Sequence, residues 1–265
     1  MRRGTSVMHS ALWVVALGAL VVQFCGQPFS RAQDSLPAEV SPSSKDSAKK
    51  NTNSKADFPP ALKSYKGRRI AQTMHFDGAG WLTRENRNSE EDCEAMLKAL
   101  DVKPGQTVCD MGCGNGFYTL RLAEMVGEKS EVLAVDIQAE MLHLLEERAK
   151  SVDIKNVKLI LGGLTDPRLP EGKLDLILCV DVYHEFSHPE HMLKAMRKAL
   201  APKGKLVLVE FRAEDRRVPI LPLHKMSKKQ ILKELEPNGF KLVQQYDELP
   251  WQHMMFFERD ESKED

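Results

Sequence analysis

The sequence predicts an α/β fold: a mostly parallel sheet with helices on both faces, finished by an antiparallel hairpin near the C-terminus. Three observations predict it. Apolar runs such as Leu174-Asp-Leu-Ile-Leu-Cys-Val180 scarcely alternate, as expected of parallel strands covered on both faces. Between these runs lie stretches with apolar residues at helical spacing. Glycine, proline and Ser-x-x-Asp/Glu/Gln patterns mark the joins.

Ser89-x-x-Asp92 sets a helix N-cap. Cys93, Met96, Leu97 and Leu100 then recur at i, i+3, i+4 and i+7, so a helix over 90–100 packs on the sheet. Pro104-Gly105 ends it and feeds a first strand, Val108-Cys109, closing on Asp110. After a glycine-rich turn, Phe117, Leu120, Leu122, Ala123 and Val126 turn the next helix towards the sheet, and Gly127 stops it. Strand 131–135 leads to Asp136. Helix 139–150 follows, with Met141, Leu142, Leu144 and Leu145 inward and Glu146, Glu147 and Arg148 outward. Strands 157–161 and 174–180 come next. Ser187-x-x-Glu190 reads as a capping box with Pro189 in the first turn, and Met192, Leu193, Met196 and Leu200 line its helix. Pro202-Lys-Gly204 turns into strand 205–211. Ser227-x-x-Gln230 opens helix 228–236, which Pro237-Asn-Gly239 closes. Segments 240–245 and 253–257 form the hairpin across Pro250.

The first turn reads Asp110-Met-Gly112-Cys113-Gly114-Asn-Gly116. Alternating glycines permit backbone angles and close approaches that a Cβ forbids. A ligand can then lie against bare backbone at a helix N-terminus, where unpaired N–H groups point outward. Dinucleotide turns use G-x-G-x-x-G. Here the spacing is G-x-G-x-G, and the carboxylate of Asp110 would repel a pyrophosphate while suiting a positively charged ligand. A second acid, Asp136, ends the run Val132-Leu-Ala-Val135, 20 residues past Gly116.

This set resembles motif I and the following strand-end acid of the class I S-adenosylmethionine (SAM)-dependent methyltransferases, in the type 11, quinone-biosynthesis-like group. The resemblance covers about residues 62–259. It implies a Rossmann-like, seven-stranded, mostly parallel sheet with helices on both faces, the antiparallel C-terminal hairpin and SAM as cofactor. It also implies that Asp110 lies near the methionine moiety and its ammonium, and that Gly112 and Gly114, within the loop completed by Cys113 and Gly116, allow close approach. Asp136 would hold the ribose diol and Ile137 would pack on adenine. Where related enzymes carry an acid and a small residue, this chain has Gly163 and Leu164, so adenine recognition would rest on their backbone, with Asp166 as a substitute. Asp181 opens the segment to Phe186, where the family meets donor and acceptor. In that segment His184 has the pKa range of a base, or else caps the loop, and Tyr183 would orient donor or acceptor. His188, His191, His224 and His253 are weaker candidates, and His75 is expected to be a surface residue. The region 212–226 would form a wall of the acceptor pocket.

Lys+Arg and Asp+Glu balance at 38 each, so no overall field favours nucleic acid. The five cysteines fit no metal or disulfide spacing, and no metal site is expected. A small, partly apolar acceptor is the residual class, and the oligomeric state is not legible. Arg2-Arg3, the apolar run 11–22 and Ser30-Arg-Ala32 read as an export signal over 1–32; an uncleaved anchor or a misassigned start is the alternative. The run is too short to span a bilayer, which needs ~20 apolar residues, so no stable span is expected after cleavage. The expected location is periplasmic or envelope-associated, or cytoplasmic if the start is misassigned. Residues 33–60 are polar and read as a disordered linker. The methyltransferase domain is expected over 61–260, its first forty residues forming an N-terminal cap in which Trp81 covers the cleft or packs in the core. Residues 261–265 are expected to be a disordered tail. Export also motivates a second reading, a non-catalytic SAM-fold binding protein, since SAM is made in the cytosol. An NAD-dependent oxidoreductase is a third, opposed by the glycine spacing.

Overall fold

The structure, a computed structural model, describes residues 59–263. The export signal, Cys25 and nearly all of the expected linker lie outside the described residues. A short hairpin comes first, β1 (Ser64–Tyr65) and β2 (Arg68–Arg69). Lys66 and Gly67 turn it with φ of 45° and 89°, the left-handed pair that two-residue hairpins need. A 3₁₀ segment, Phe76–Thr83, follows.

The helix expected over 90–100 is two helices, α1 (Arg87–Glu91) and α2 (Cys93–Leu100). Asp92 breaks them at φ 51°, and its side chain accepts from Ala95 N, so it restarts the helix as the N-cap. Ser89 does not cap; its hydroxyl donates to Asn86 O. The stripe Cys93, Met96, Leu97 and Leu100 is buried.

Then come β3 (Val108–Met111), α3 (Phe117–Val126), β4 (Val132–Asp136), α4 (Ala139–Ser151), β5 (Val157–Leu161), β6 (Leu174–Val180), α5 (Pro189–Ala199), β7 (Leu200–Phe211), α6 (Lys228–Leu235), β8 (Phe240–Tyr246) and β9 (Gln252–Arg259). Leu144 of α4 is 38 % exposed rather than inward, because Met141, Leu142, Leu145 and Ala149 already fill the buried stripe. Ser187 does not cap α5; His188 is the N-cap residue, without a side-chain cap bond, and the Ser187 hydroxyl meets His188 Nδ1. β7 starts five residues early, at Leu200, and Ala201 to Gly204 bulge out between the pairs Leu174–Leu200 and Leu176–Lys205. Gly204 permits this, since a Cβ there would meet Leu174 O at 2.3 Å.

The seven-stranded sheet runs β5-β4-β3-β6-β7-β9-β8. Its first five strands pair in parallel, and β9 is antiparallel to β7 and β8. Strand order reverses between β3 and β6, the place where open α/β sheets bind ligands beyond the strand C-termini. One face packs Met111, Val135, Ile177 and Leu208 against α5 and α6. The other packs Val108, Val132, Leu178 and Val207 against α2 and α3, with α4 over Ala134. Residues 261–263, expected within a disordered tail, form a turn whose Lys263 carbonyl accepts from Arg197 Nη2 at 2.9 Å.

Candidate active site

A cavity of about 660 Å³ opens at the C-terminal ends of the central strands, within the ~300–1,000 Å³ range of small-molecule sites. The glycine loop forms part of its wall. Gly112, Gly114 and Gly116 all have positive φ (70°, 52° and 82°), and the N–H groups of Gly112 and Cys113 both donate to Val135 O, binding the loop to β4. Gly112 and Gly114 face the cavity. Added Cβ atoms there would strike Val182 at 2.3 Å and Leu82 at 2.4 Å, so the absent side chains permit close packing of these two residues on the loop.

Asp136 ends β4 at the same wall. Gly114 N donates to its Oδ2 at 3.0 Å and Gln138 N to its Oδ1 at 2.9 Å. Two backbone donors thus fix the carboxylate, and each oxygen keeps acceptor capacity for a ligand hydroxyl. Ile137 beside it is 39 % exposed and also lines the cavity. Gln138 ties the N-terminal segment across this wall: its side chain accepts from Phe76 N and donates to Met74 O, both at 2.9 Å. Asn115 Nδ2 adds a bond to Ala79 O. Met74, Trp81, Leu82, Arg87 and Glu91 therefore line the cavity. Trp81 is 48 % exposed with the Arg84 guanidinium 3.8 Å over its ring, so it is a wall residue and not a core one.

The end of β6 supplies another part of the wall. Asp181 takes φ 51°, and its Oδ2 accepts from Gln252 Nε2 at 2.6 Å while the enclosed Oδ1 has no partner. Burial, and after it the charges of Glu91 and Glu210, push its pKa well above the usual carboxylate range. A 3₁₀ turn, Tyr183–Glu185, follows. His184 is 1 % exposed. Its Nδ1 meets Glu210 Oε2 at 2.7 Å and its Nε2 meets His224 Nδ1 at 3.1 Å. Its carbonyl accepts from Arg68 Nη1 and Ala71 N, so the N-terminal hairpin clamps the turn from outside. Burial opposes the charged imidazole of His184, but the Glu210 carboxylate outweighs it and raises the pKa above the ordinary value. Burial pushes Glu185 up to about 7.

Not every sequence candidate meets the cavity. Asp110 is buried behind the wall, its Oδ2 accepting from Thr119 Oγ1 at 2.6 Å, and burial lifts it to about 6. Cys113 is buried with its thiol against Gly114 O. Gly116 is the N-cap residue of α3, where a Cβ would lie 2.1 Å from Leu145; its role is packing. Tyr183 is fully enclosed and donates to Glu234 Oε2 at 2.9 Å, away from the cavity lining. Gly163 and Leu164 do line it, yet the Gly163 N–H is committed to Asp166 O at 2.7 Å, so that donor is not available to adenine. The Asp166 side chain accepts from Arg168 N instead. His188 and His253 bond to the backbone oxygens of Pro59 and Met226, His191 is exposed, and His75 sits outside, paired with Asp77. Sequence reasoning missed Arg87, Glu91 and Gln138 and underrated His224; of these only Gln138, two residues past Asp136, carried a local signal.

Four carboxyl groups (Glu91, Asp136, Asp181, Glu185) and one guanidinium (Arg87) line the cavity, but Glu91 is ion-paired with both Arg84 and Arg87 and burial favours the neutral forms of Asp181 and Glu185. Asp181 provides a test. An acid whose pKa is raised on folding binds protons preferentially in the folded state, so its stability contribution declines as pH rises from its unfolded value, about 4, through the folded one. Asp181→Asn is expected to raise the unfolding midpoint at pH 8, with the gain shrinking towards pH 4. A variant no more stable than wild type at pH 8 would contradict this electrostatic reading.

A family model described as a methyltransferase domain matches residues 102–256. A demethylmenaquinone methyltransferase of Bacillus cereus is 28 % identical over 114 residues, covering 43 % of this chain and 48 % of that protein; the chain spans about half the length of the curated relatives it matches. A solved SAM-dependent methyltransferase of Aquifex aeolicus aligns with TM-score 0.66 and 27 % identity, over 70 % of this chain and 98 % of that one. A TehB-like SAM-dependent methyltransferase of Corynebacterium glutamicum, at 18 % identity and TM-score 0.53 over 70 % and 98 %, shares the fold.

Proposed function

This chain belongs to the methyltransferase domain family, and on that premise we propose that it is an enzyme transferring a methyl group from SAM to a small, partly apolar acceptor by direct displacement. The bound donor supplies an electrophilic methyl carbon and a neutral leaving sulfur. The chain's residues bind, align and exclude water. Asp136, held by two backbone N–H groups, receives the ribose hydroxyls; Gly112 and Gly114 leave the wall thin; Ile137 and Leu164 offer apolar contact to the base. Alignment is the main catalytic contribution, worth up to ~7–11 kcal/mol.

The observation that carries the reading is that Asp136, Gly112 and Gly114 share one cavity with His184. His184 has Nδ1 committed to Glu210 and Nε2 bonded to His224, so it acts on the acceptor once His224 gives way and frees Nε2, helping an acceptor hydroxyl or amine to ionise. Phe186, Met192, Phe211 and Ile220 give the wall apolar character, and the name of the curated relatives supports a reduced-quinone-like acceptor, an aromatic ring with ionisable hydroxyls. The apolar run near the N-terminus supports a cleaved export signal, a reading that an intact Met1 in the mass spectrum of the protein from its host would reject. For the activity, the full chain is incubated with methyl-labelled SAM and a lipid extract of the host. Label in an organic-soluble product is expected; no label above an enzyme-free control would leave the chain a binding protein.

A further inference from the structure

The wall that faces the acceptor holds three side chains whose donor atoms converge. His184 Nε2 lies 3.1 Å from His224 Nδ1 and 4.0 Å from Glu185 Oε1, and one donor atom from each residue falls within 4.8 Å of the other two. We propose that these three residues bind a divalent transition-metal ion of the zinc class inside the cavity. Bonds of ~2.0–2.2 Å to two imidazole nitrogens and a carboxylate oxygen place tetrahedral ligands roughly 3.3–3.5 Å apart, a spacing that small rotations of Glu185 and His224 reach. Two imidazoles and one carboxylate form the ligand set of open catalytic sites, which keep a position free for a bound oxygen.

Two further observations point to a ligand here. The Nδ1 of His184 is bound at 2.7 Å to Glu210, itself wholly buried. This carboxylate–histidine arrangement fixes the ring and directs Nε2 at a metal. The second oxygen of that carboxylate, Glu210 Oε1, is buried with no hydrogen-bond partner, so a cation held on Nε2 of His184 offsets a carboxylate that the protein leaves partly unpaired. By contrast, His143, Glu146 and Glu147 also cluster, but all three are exposed on one face of α4 without a supporting layer, and nothing there points to an ion.

The role of the ion rests on the methyl-transfer reading; its binding does not. An acceptor hydroxyl in the free position would lose its proton to solvent and keep a negatively charged oxygen beside the donor. That specifies how Nε2 of His184 promotes ionisation: by holding a cation.

The test uses the full chain stripped with a chelator and titrated with Co²⁺, followed by visible absorption, with S-adenosylhomocysteine calorimetry on the same sample. One equivalent of Co²⁺ giving a d–d band, and a higher unfolding midpoint with Zn²⁺, are expected. His224→Ala and Glu185→Gln should each weaken Co²⁺ binding by at least about tenfold, and Glu210→Gln by about 10–100-fold, with S-adenosylhomocysteine affinity unchanged in His224→Ala. No band in the wild type, or wild-type Co²⁺ affinity in the variants, would overturn the proposal and leave the imidazoles hydrogen-bonded to each other. If the ion fails while S-adenosylhomocysteine still binds, the donor reading stands; if both fail, both fall.

Discussion

Asp136→Ala is expected to weaken binding of SAM and of S-adenosylhomocysteine by more than about tenfold while the protein stays folded. Each ribose hydroxyl donating to an ionised carboxylate is worth ~1.5–3 kcal/mol, and tenfold in affinity is about 1.4 kcal/mol, so losing one such bond suffices. The same carboxylate accepts from Gly114 N and Gln138 N, so its loss also frees the glycine loop from one of its anchors. Asp136→Asn separates the two effects, because one amide oxygen can still accept from the loop while the charge is gone. Calorimetry gives the affinity and the unfolding midpoint gives the fold. Near-normal affinity in the alanine variant would reject the ribose assignment.

His184→Ala is expected to lower turnover by about 10²–10⁴-fold, the range over which positioned proton-handling groups act, and to change donor affinity far less. The side chain is buried between Glu210 and His224, so its removal also strands the Glu210 carboxylate and lowers stability. His184→Asn, which keeps a donor in reach of Glu210, controls for that cost. Turnover and S-adenosylhomocysteine affinity measured on both variants separate the roles: equal losses in the two quantities would make His184 structural.

The central strands were readable because apolar runs covered on both faces leave nothing to alternate, as where 174–180 coincides with β6; 157–161 coincides with β5 although that edge strand is only partly buried. The glycine loop and Asp136 were readable because their spacing within one βαβ unit is local. The orientation of Asp110 was not read, although alternation carries it. Asp110 shares the face of Val108, which packs beside Tyr118 and Leu122 of α3, and Thr119 of that helix takes its carboxylate. The break at Asp92 was not legible because an aspartate in left-handed conformation is a tertiary outcome, with Arg84 and Arg87 both holding Glu91, the last residue of α1. The acceptor side was least legible. His184 meets Glu210 across 26 residues and His224 across 40, and no spacing rule joins positions that only the sheet brings together.

The central claim is that Gly112, Gly114 and Asp136 hold a sulfonium nucleoside at the point where strand order reverses. Calorimetric titration of the full chain with S-adenosylhomocysteine tests it most directly. One site per chain, with heat abolished or strongly reduced in Asp136→Ala, is the expected result. A folded wild-type protein that gives no heat of binding would contradict it.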